Sequence, residues 1–332
     1  MQDSPLQSEF DLIRRHFAGM TPPRPDVSLG IGDDAALVTP PSGQQLAISV
    51  DTLVSGVHFQ PSVSPQALGH KALAVNLSDL AAMGAEPAWA TLALTLPEPD
   101  EAWLVGFAEG FASLARRYGV ALVGGDTTRG ALSLTVQVHG FVPDGQSLRR
   151  SGARVGDGIY VTGCLGDAAL CLKQLQTATP PTAIPDSLRQ RLDRPEPRIE
   201  AGLALRQRAS SAIDISDGLL ADLGHILEAS DVGACLFLER LPLSAAFSEW
   251  FAASGDWSPA LSGGDDYELC FTLPPAQERE MTGLAAELEL GIHRIGTIEA
   301  APGLRVLQPD GRAWLGTGRG FDHFAGGSTD AG

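Results

Sequence analysis

Residues 27–38 read VSLGIGDDAALV. An apolar run is broken by Gly30 and Gly32 and then by two adjacent aspartates, Asp33 and Asp34. Neighbouring carboxylates repel, and apolar surroundings raise the cost of ionising either one. Something must offset that charge, and the same grammar recurs along the chain. SVDTLVSGVHF (49–59) carries Asp51, NLSDLAAMG (76–84) Asp79, and VGGDTTRG (123–130) Asp126. AIDISDGL (212–219) carries Asp214 and Asp217, and SGGDDYEL (262–269) Asp265 and Asp266. Most are apolar strands running into one or two aspartates with Gly or Ser alongside. Such strands, interleaved with helices but without one fixed βαβ period, predict a mixed α/β or α+β fold in two domains divided near residue 150.

Two readings stand for each aspartate. Asp beside Gly is ordinary turn composition, and Asp100 and Asp144 are read that way and set aside. Alternatively, strand-end carboxylates flanked by small residues build an oxygen-rich cleft. Mg²⁺ takes such ligands, usually one or two carboxylates together with waters and substrate phosphates, and would offset the repulsion between Asp33 and Asp34. Six occurrences at the ends of apolar runs weigh against turns alone. Asp79 reads as mid-helix in an apolar setting, where Asp has poor propensity, with Asn76 one turn earlier on the same face. The EF-hand spacing is absent, and His58, without a second His at ligand spacing, reads as a strand-end or substrate-contact residue.

Charge and composition narrow the chemistry. The formal net charge of −17 over 332 residues argues against nucleic acid or an anionic membrane as partner; solubility is the plainer cause of the acidity. The lysines are Lys71 and Lys173, neither in a glycine-rich loop, so no P-loop exists. GTGRGF (316–321) is rich in glycine but follows no clear βα unit. Any phosphate chemistry must then use Mg²⁺ with arginine, which grips phosphate oxygens in a fork. Candidates are Arg129 and the cluster Arg149, Arg150 and Arg154, part of which also reads as an exposed basic loop. No Ser-His-Asp or Cys-His arrangement is apparent, and metal-assisted phosphoryl transfer needs no protein nucleophile. Cys164, Cys171, Cys235 and Cys270 form no C-x-x-C pair and read as reduced. The N-terminus lacks a secretory pattern, and the apolar segment 71–96 contains Asp79, Glu86 and Pro87 and reads as a buried helix and strand. A soluble cytoplasmic protein is expected.

Ser64 and Pro65 predict the start of a helix that Gly84 ends. Strands are expected over DVSLGIG, QQLAISVDTL, AWATLALTL, VALVGG and LSLTVQVHGFV, and later over GDGIYVTG, SAIDIS, VGACLFLERL, YELCFTL and LRVLQPDGRAWL, the last with an Asp310-Gly311 hairpin signal. Helices are expected over EFDLIRRHFAGM, DEAWLVGFAEGFASLARRYG, GDAALCLKQLQ, RIEAGLALRQRA and GLLADLGHILEAS. TATPPTAIPDS (177–187) reads as a loop.

Together, GIGDDAAL, SVDTLVSGVHF, KALAVNLSDLAAMGAEPAW, GGDTTRG, RSGARVGDGIYVTG, DISDGLLADLGHI, LSGGDDYEL and the terminal GFDHF resemble the thiamine-monophosphate kinases of the aminoimidazole ribonucleotide synthetase superfamily, over roughly residues 8–324. The resemblance implies an N-terminal α/β domain (1–150) that binds ATP and Mg²⁺ and whose sheets meet across a homodimer, and a C-terminal α/β domain (151–332) that completes the active site. It implies direct in-line transfer of the γ-phosphoryl group of ATP to thiamine monophosphate, with several Mg²⁺ ions between the phosphates and no single residue as base. The implied metal ligands are Asp34, Ser49, Val50 (through its carbonyl), Asp51, Asp79, Asp126, Asp214 and Asp217. Gly125, Asp126, Arg150 and Ser216 match ATP-contacting positions, and His58, Asp265 and Phe321 match positions contacting the thiamine moiety. Asp265 stands where glutamate is frequent, and Phe321 where tyrosine is common. Two alternatives stay open: a sister ATP-using enzyme of the superfamily, and a non-catalytic acidic binding module. Selenophosphate synthetase expects a reactive N-terminal cysteine, and here the first is Cys164.

Overall fold

A computed structural model describes residues 8–177 and 184–316. The chain divides into two compact units, Met1–Ser147 and Leu148–Gly332.

In the first unit the short helix α1 (Glu9–Leu12), capped by Ser8 and continued by a π-turn to Phe17, precedes β1 (Val27–Leu29) and β2 (Leu37–Val38), which pair as a ribbon. A four-stranded sheet follows, from β3 (Gln44–Val54), β4 (Glu86–Leu96), β5 (Ala121–Arg129) and β6 (Ser133–Pro143). Its order is β3-β6-β4-β5, with β4 and β5 parallel and the other pairs antiparallel. Helices α2 (Pro65–Ala82) and α3 (Glu101–Arg117) join the strands. Ser64 caps α2 by accepting the Ala67 N–H at 3.2 Å, with Pro65 at its first position. Fourteen of the eighteen residues of α2 are buried, as its all-round apolar sequence requires. It meets α3 at backbone distance: a Cβ on Gly69 would lie 2.0 Å from the Phe107 carbonyl oxygen, and one on Gly110 1.9 Å from that of Gln66.

One sheet face carries Leu53, Leu92, Leu94, Leu134, Val136 and Val138, all buried. On the other, Trp89 and Phe141 are covered by Val27, Ala36 and Val38, and the Trp89 indole N–H donates to Asp26 at 3.1 Å. The rest of that face is open, with Leu46, Ile48 and Val50 of β3 exposed at 38%, 55% and 57%.

The second unit is built on a six-stranded sheet in the order β12-β9-β11-β7-β10-β8. Its strands are β7 (Gly158–Thr162), β8 (Ser211–Asp214), β9 (Gly233–Phe237), β10 (Leu269–Leu273), β11 (Ile292–Glu299) and β12 (Gly303–Leu307). Only β12 and β9 pair in parallel. Helices α4 (Asp167–Thr177), α5 (Asp186–Asp193), α6 (Ile199–Leu205), α7 (Leu219–Ser230), α8 (Ala245–Ser254), α9 (Ser258–Ser262) and α10 (Glu278–Glu287) complete it. The core gathers Ile159, Val161, Ile213, Ile215, Leu223, Ile226, Leu236 and Phe247.

Several expectations change. The strand read over 26–32 ends at Leu29, and Asp33 and Asp34 are both exposed; water, rather than an apolar shell, surrounds their charge. Asp79 lies in the last turn of α2, not mid-helix. Asp186 and Ser187, read as loop, begin α5, which buries Leu188 and Leu192 one turn apart. The Asp310-Gly311 turn forms with Gly311 at φ 80°, but its return arm is a single bridge, Leu307 to Ala313. Asp100 caps α3, accepting the Ala102 and Trp103 N–H groups.

Candidate active site

The first group of site residues arises where β3 crosses α2. Ser49 and Asp51 share one face of the strand because side chains alternate, and Asn76 and Asp79 are neighbours one turn apart. The Ser49 hydroxyl donates to Asp79 Oδ2 at 2.5 Å. The Asp51 N–H donates to Asn76 Oδ1 at 3.0 Å, and Asn76 Nδ2 donates to the Ala72 carbonyl at 3.0 Å. The structure thus joins Ser49 to Asp79 and fixes Asp51 beside Asn76.

His58 closes the turn after β3. Its Nδ1 accepts the Val54 N–H at 2.9 Å, and its own N–H donates to the Val54 carbonyl at 3.0 Å. A neutral ring with Nδ1 as acceptor carries its hydrogen on Nε2. Lys71, buried in α2, donates to the His58 carbonyl at 3.4 Å.

Other first-unit candidates lie elsewhere on the sheet. Val50 points to the open face. Asp126 pairs with Ala93, which pairs with Thr135 and so with Thr52, placing Asp126 on that open face too, three strands (about 14 Å) from β3. It follows Gly125, whose φ is 156° and where a Cβ would lie 1.9 Å from the Leu92 carbonyl oxygen; glycine alone fits. Asp34 donates its N–H to the Asp33 carboxylate at 2.9 Å. Arg129 donates to the Pro97 carbonyl at 3.2 Å.

In the second unit the candidates gather at the end of β8 and the start of α7. Asp214 is buried at the strand end. Ser216, Asp217 and Gly218 then turn into α7, and all three backbone N–H groups donate to Asp222 Oδ2 at 3.1, 3.1 and 3.0 Å. Burial, then the nearby Asp217 charge, pushes the Asp222 carboxyl up to about 7 against the pull of those donors. The Asp265 N–H donates to the Ser216 carbonyl at 2.9 Å, and the Tyr267 N–H to that of Ile215 at 2.8 Å. Asp265 and Tyr267 sit at φ 66° and 49°, and the Tyr267 hydroxyl donates to Asp265 Oδ1 at 3.1 Å. Beneath them the buried Asp266 accepts the Gly166 N–H at 2.9 Å, and burial holds its carboxyl well above the ordinary range. Glu268, also buried, binds Arg191, Arg198 and Thr162.

Ser216, Asp217 and Asp265 are therefore brought together. Arg150 is not: it is exposed, and its carbonyl accepts from Ser230 at the far end of α7. Phe321 lies outside the described residues. Asp266 stood out in the sequence only as one of the paired aspartates, without a role, and Asp222, Glu268 and Tyr267 did not stand out at all. Only Asp222 carried a usable signal, an acid in the first turn of a helix.

Residues 32–142 match the family model for the N-terminal domain of AIR synthase related proteins, and residues 154–308 that for their C-terminal domain. The thiamine-monophosphate kinase of Escherichia coli strain K12 is 52% identical over 322 residues, covering 96% of this chain and 98% of that protein. The chain belongs to the thiamine-monophosphate kinase family. A crystal structure of the family from Stenotrophomonas maltophilia superposes with a TM-score of 0.84 at 49% identity, over 91% of this chain and 97% of that one. AaThiL, a structure complexed with AMPPCP and TMP, superposes with a TM-score of 0.75 at 34% identity, over 90% and 93%.

The family implies magnesium. Among the described residues no group of three His, Cys, Asp or Glu side chains could hold a metal ion. The donors present in both groups are hydroxyl and carboxylate oxygens. That set fits Mg²⁺, which takes one or two carboxylates and completes its shell with water and phosphate.

Proposed function

We propose that this chain transfers the γ-phosphoryl group of ATP directly to the phosphate of thiamine monophosphate, yielding thiamine diphosphate. The observation that carries this is the family membership together with the Ser216–Asp217–Asp265 cluster, built at the matching motifs. The second unit offers Ser216 for ATP and Asp265, steadied by Tyr267, for the thiamine moiety, with Arg150 and Phe321 as further contacts. The first unit offers His58 for substrate and Gly125 with Asp126 for ATP.

Asp34, Ser49, the Val50 carbonyl, Asp51, Asp79 and Asp126 would hold Mg²⁺ in the first unit, and Asp214 and Asp217 in the second. Mg²⁺, when bound, supplies the positive charge that lets two polyanions approach; unit charges ~4 Å apart otherwise repel by about 4 kcal/mol at intermediate dielectric. The acceptor oxygen is already anionic at neutral pH, so the residues position and need not deprotonate. No phosphoenzyme is required.

The open face bearing Leu46, Ile48 and Val50 supports a homodimer through the first unit's sheet, since exposed apolar surface of this kind favours association. Asp126 shares that face. The four free cysteines are in keeping with a cytoplasmic location, and among the described residues no helix is long and apolar enough to cross a membrane.

The test is incubation with ATP and Mg²⁺ and either thiamine monophosphate or thiamine, with products separated by chromatography. Thiamine diphosphate from the monophosphate alone, abolished by EDTA, is the expected result. No product from either acceptor, with ATP still bound, would refute the proposal in favour of a sister activity, and ³²P retained on the protein would refute direct transfer.

A further inference from the structure

Three consecutive backbone N–H groups converging at the start of a helix make a concave donor set that in other proteins receives a phosphate. In this chain that set is already filled. Asp222 Oδ2 takes the N–H groups of Ser216, Asp217 and Gly218 at 3.0–3.1 Å, and the residue is 2% exposed. Gly218, at φ 114°, gives the chain the bend that aims all three inward, and a Cβ there would lie 2.8 Å from the Ser262 carbonyl carbon. With the amides turned in, the carbonyl of Ser216 receives the Asp265 N–H at 2.9 Å.

We propose that Asp222 is a positioning residue for the reaction: its carboxylate occupies the anion seat at the head of α7, closes that seat to substrate phosphate, and holds Ser216, Asp217 and, through the Ser216 carbonyl, Asp265 in one fixed geometry. This rests on the function proposed above for those three residues. It assigns the turn a division of labour in which the backbone amides face the protein's own carboxylate while the flanking side chains serve ATP, metal and substrate. Phosphate is then not received at the start of α7, in agreement with a chain that has no P-loop.

The experiment compares the full-length protein with Asp222→Asn and Asp222→Ala. The Asn variant keeps the volume and one acceptor oxygen but loses the charge; the Ala variant leaves three amides unpaired. Hydrogen exchange at residues 216–218 is expected to accelerate by about 10- to 100-fold in Asp222→Asn, the range for losing charge-assisted bonds, while its melting transition stays cooperative. The Mn²⁺ affinity, read by electron paramagnetic resonance with a non-hydrolysable ATP analogue, should weaken. kcat for thiamine diphosphate formation should fall by about 100-fold, more than KM changes. Wild-type protection and wild-type kinetics in Asp222→Asn would overturn the proposal, as would an activity loss that only follows the unfolded fraction. If Asp222→Ala does not fold, Asp222→Asn alone decides. If the unsubstituted protein fails to phosphorylate thiamine monophosphate, the functional reading falls, and exchange at 216–218 still judges the role of Asp222 in the turn.

Discussion

Replacing Glu268 with Ala should cost the second unit more stability than any surface change, and its surroundings set the size. The carboxylate is fully buried. It accepts from Arg191 Nη2 at 2.5 Å, from Arg198 Nε and Nη2 at 2.6 and 2.5 Å, and from Thr162 Oγ1 at 2.6 Å. The Arg191 and Arg198 side chains are 20% and 16% exposed, so removing Glu268 strands two guanidinium groups largely out of water. Removing one partner of such a pair costs about 3–5 kcal/mol, which for a unit of this size lowers the melting temperature by roughly 6–20 °C. Glu268→Gln keeps the shape and one acceptor and should fall between. Burial alone would raise the Glu268 carboxyl, but Arg198, Arg191 and Thr162 outweigh it and hold it below its ordinary value of 4.5. Its contribution is therefore complete above pH 4.5 and is lost as pH falls through the lower folded value. Thermal and urea denaturation at neutral pH and below pH 4 provide the assay. An Ala variant melting within about 2 °C of the parent, less than one kcal/mol would give, or a gap to Glu268→Gln that does not narrow on acidification, would refute the reasoning.

Asp266→Asn retains an acceptor for the Gly166 N–H and removes a carboxyl that burial holds well above 3.8. A raised acid gives its stability below the unfolded value and loses it as pH rises toward the folded one, so the variant should gain on the parent as pH rises above 3.8 in denaturation curves; a constant difference would contradict this. Gly110→Ala forces a Cβ to within 1.9 Å of the Gln66 carbonyl oxygen, and should destabilise the first unit by about 3 kcal/mol or more, at or beyond the upper end of overpacking costs, in urea titration. Asp26→Ala removes the acceptor of the Trp89 indole N–H and of the Arg24 guanidinium. A loss of about 1–3 kcal/mol, with a changed Trp emission, is expected in equilibrium unfolding.

Much of this molecule was legible because its signals are local. The start of α2 follows from Ser64 and Pro65, and the shared face of Asn76 and Asp79 follows from their spacing of three; the meeting of Asp79 with Ser49 is tertiary. The motifs also carried the family, since eight ordered segments span nearly the whole chain. α5 was hidden in part because Pro185 and Pro195 bracket a segment whose apolar content is two leucines. Glu268 looked like any strand residue, because its worth lies in Arg191 and Arg198, 77 and 70 positions earlier.

The sequence by itself determined the mixed α/β class, the absence of a P-loop and the place of Asp214 at the end of its strand, because residue spacing and glycine placement act over a few positions. Only the tertiary structure decided what the aspartates face. It put Asp33 and Asp34 in water and Asp126 on an open sheet face away from Ser49. It gave three amides of the Ser216 turn to Asp222, a pairing fixed by how a chain bends and packs, which no local pattern of charge or hydropathy encodes.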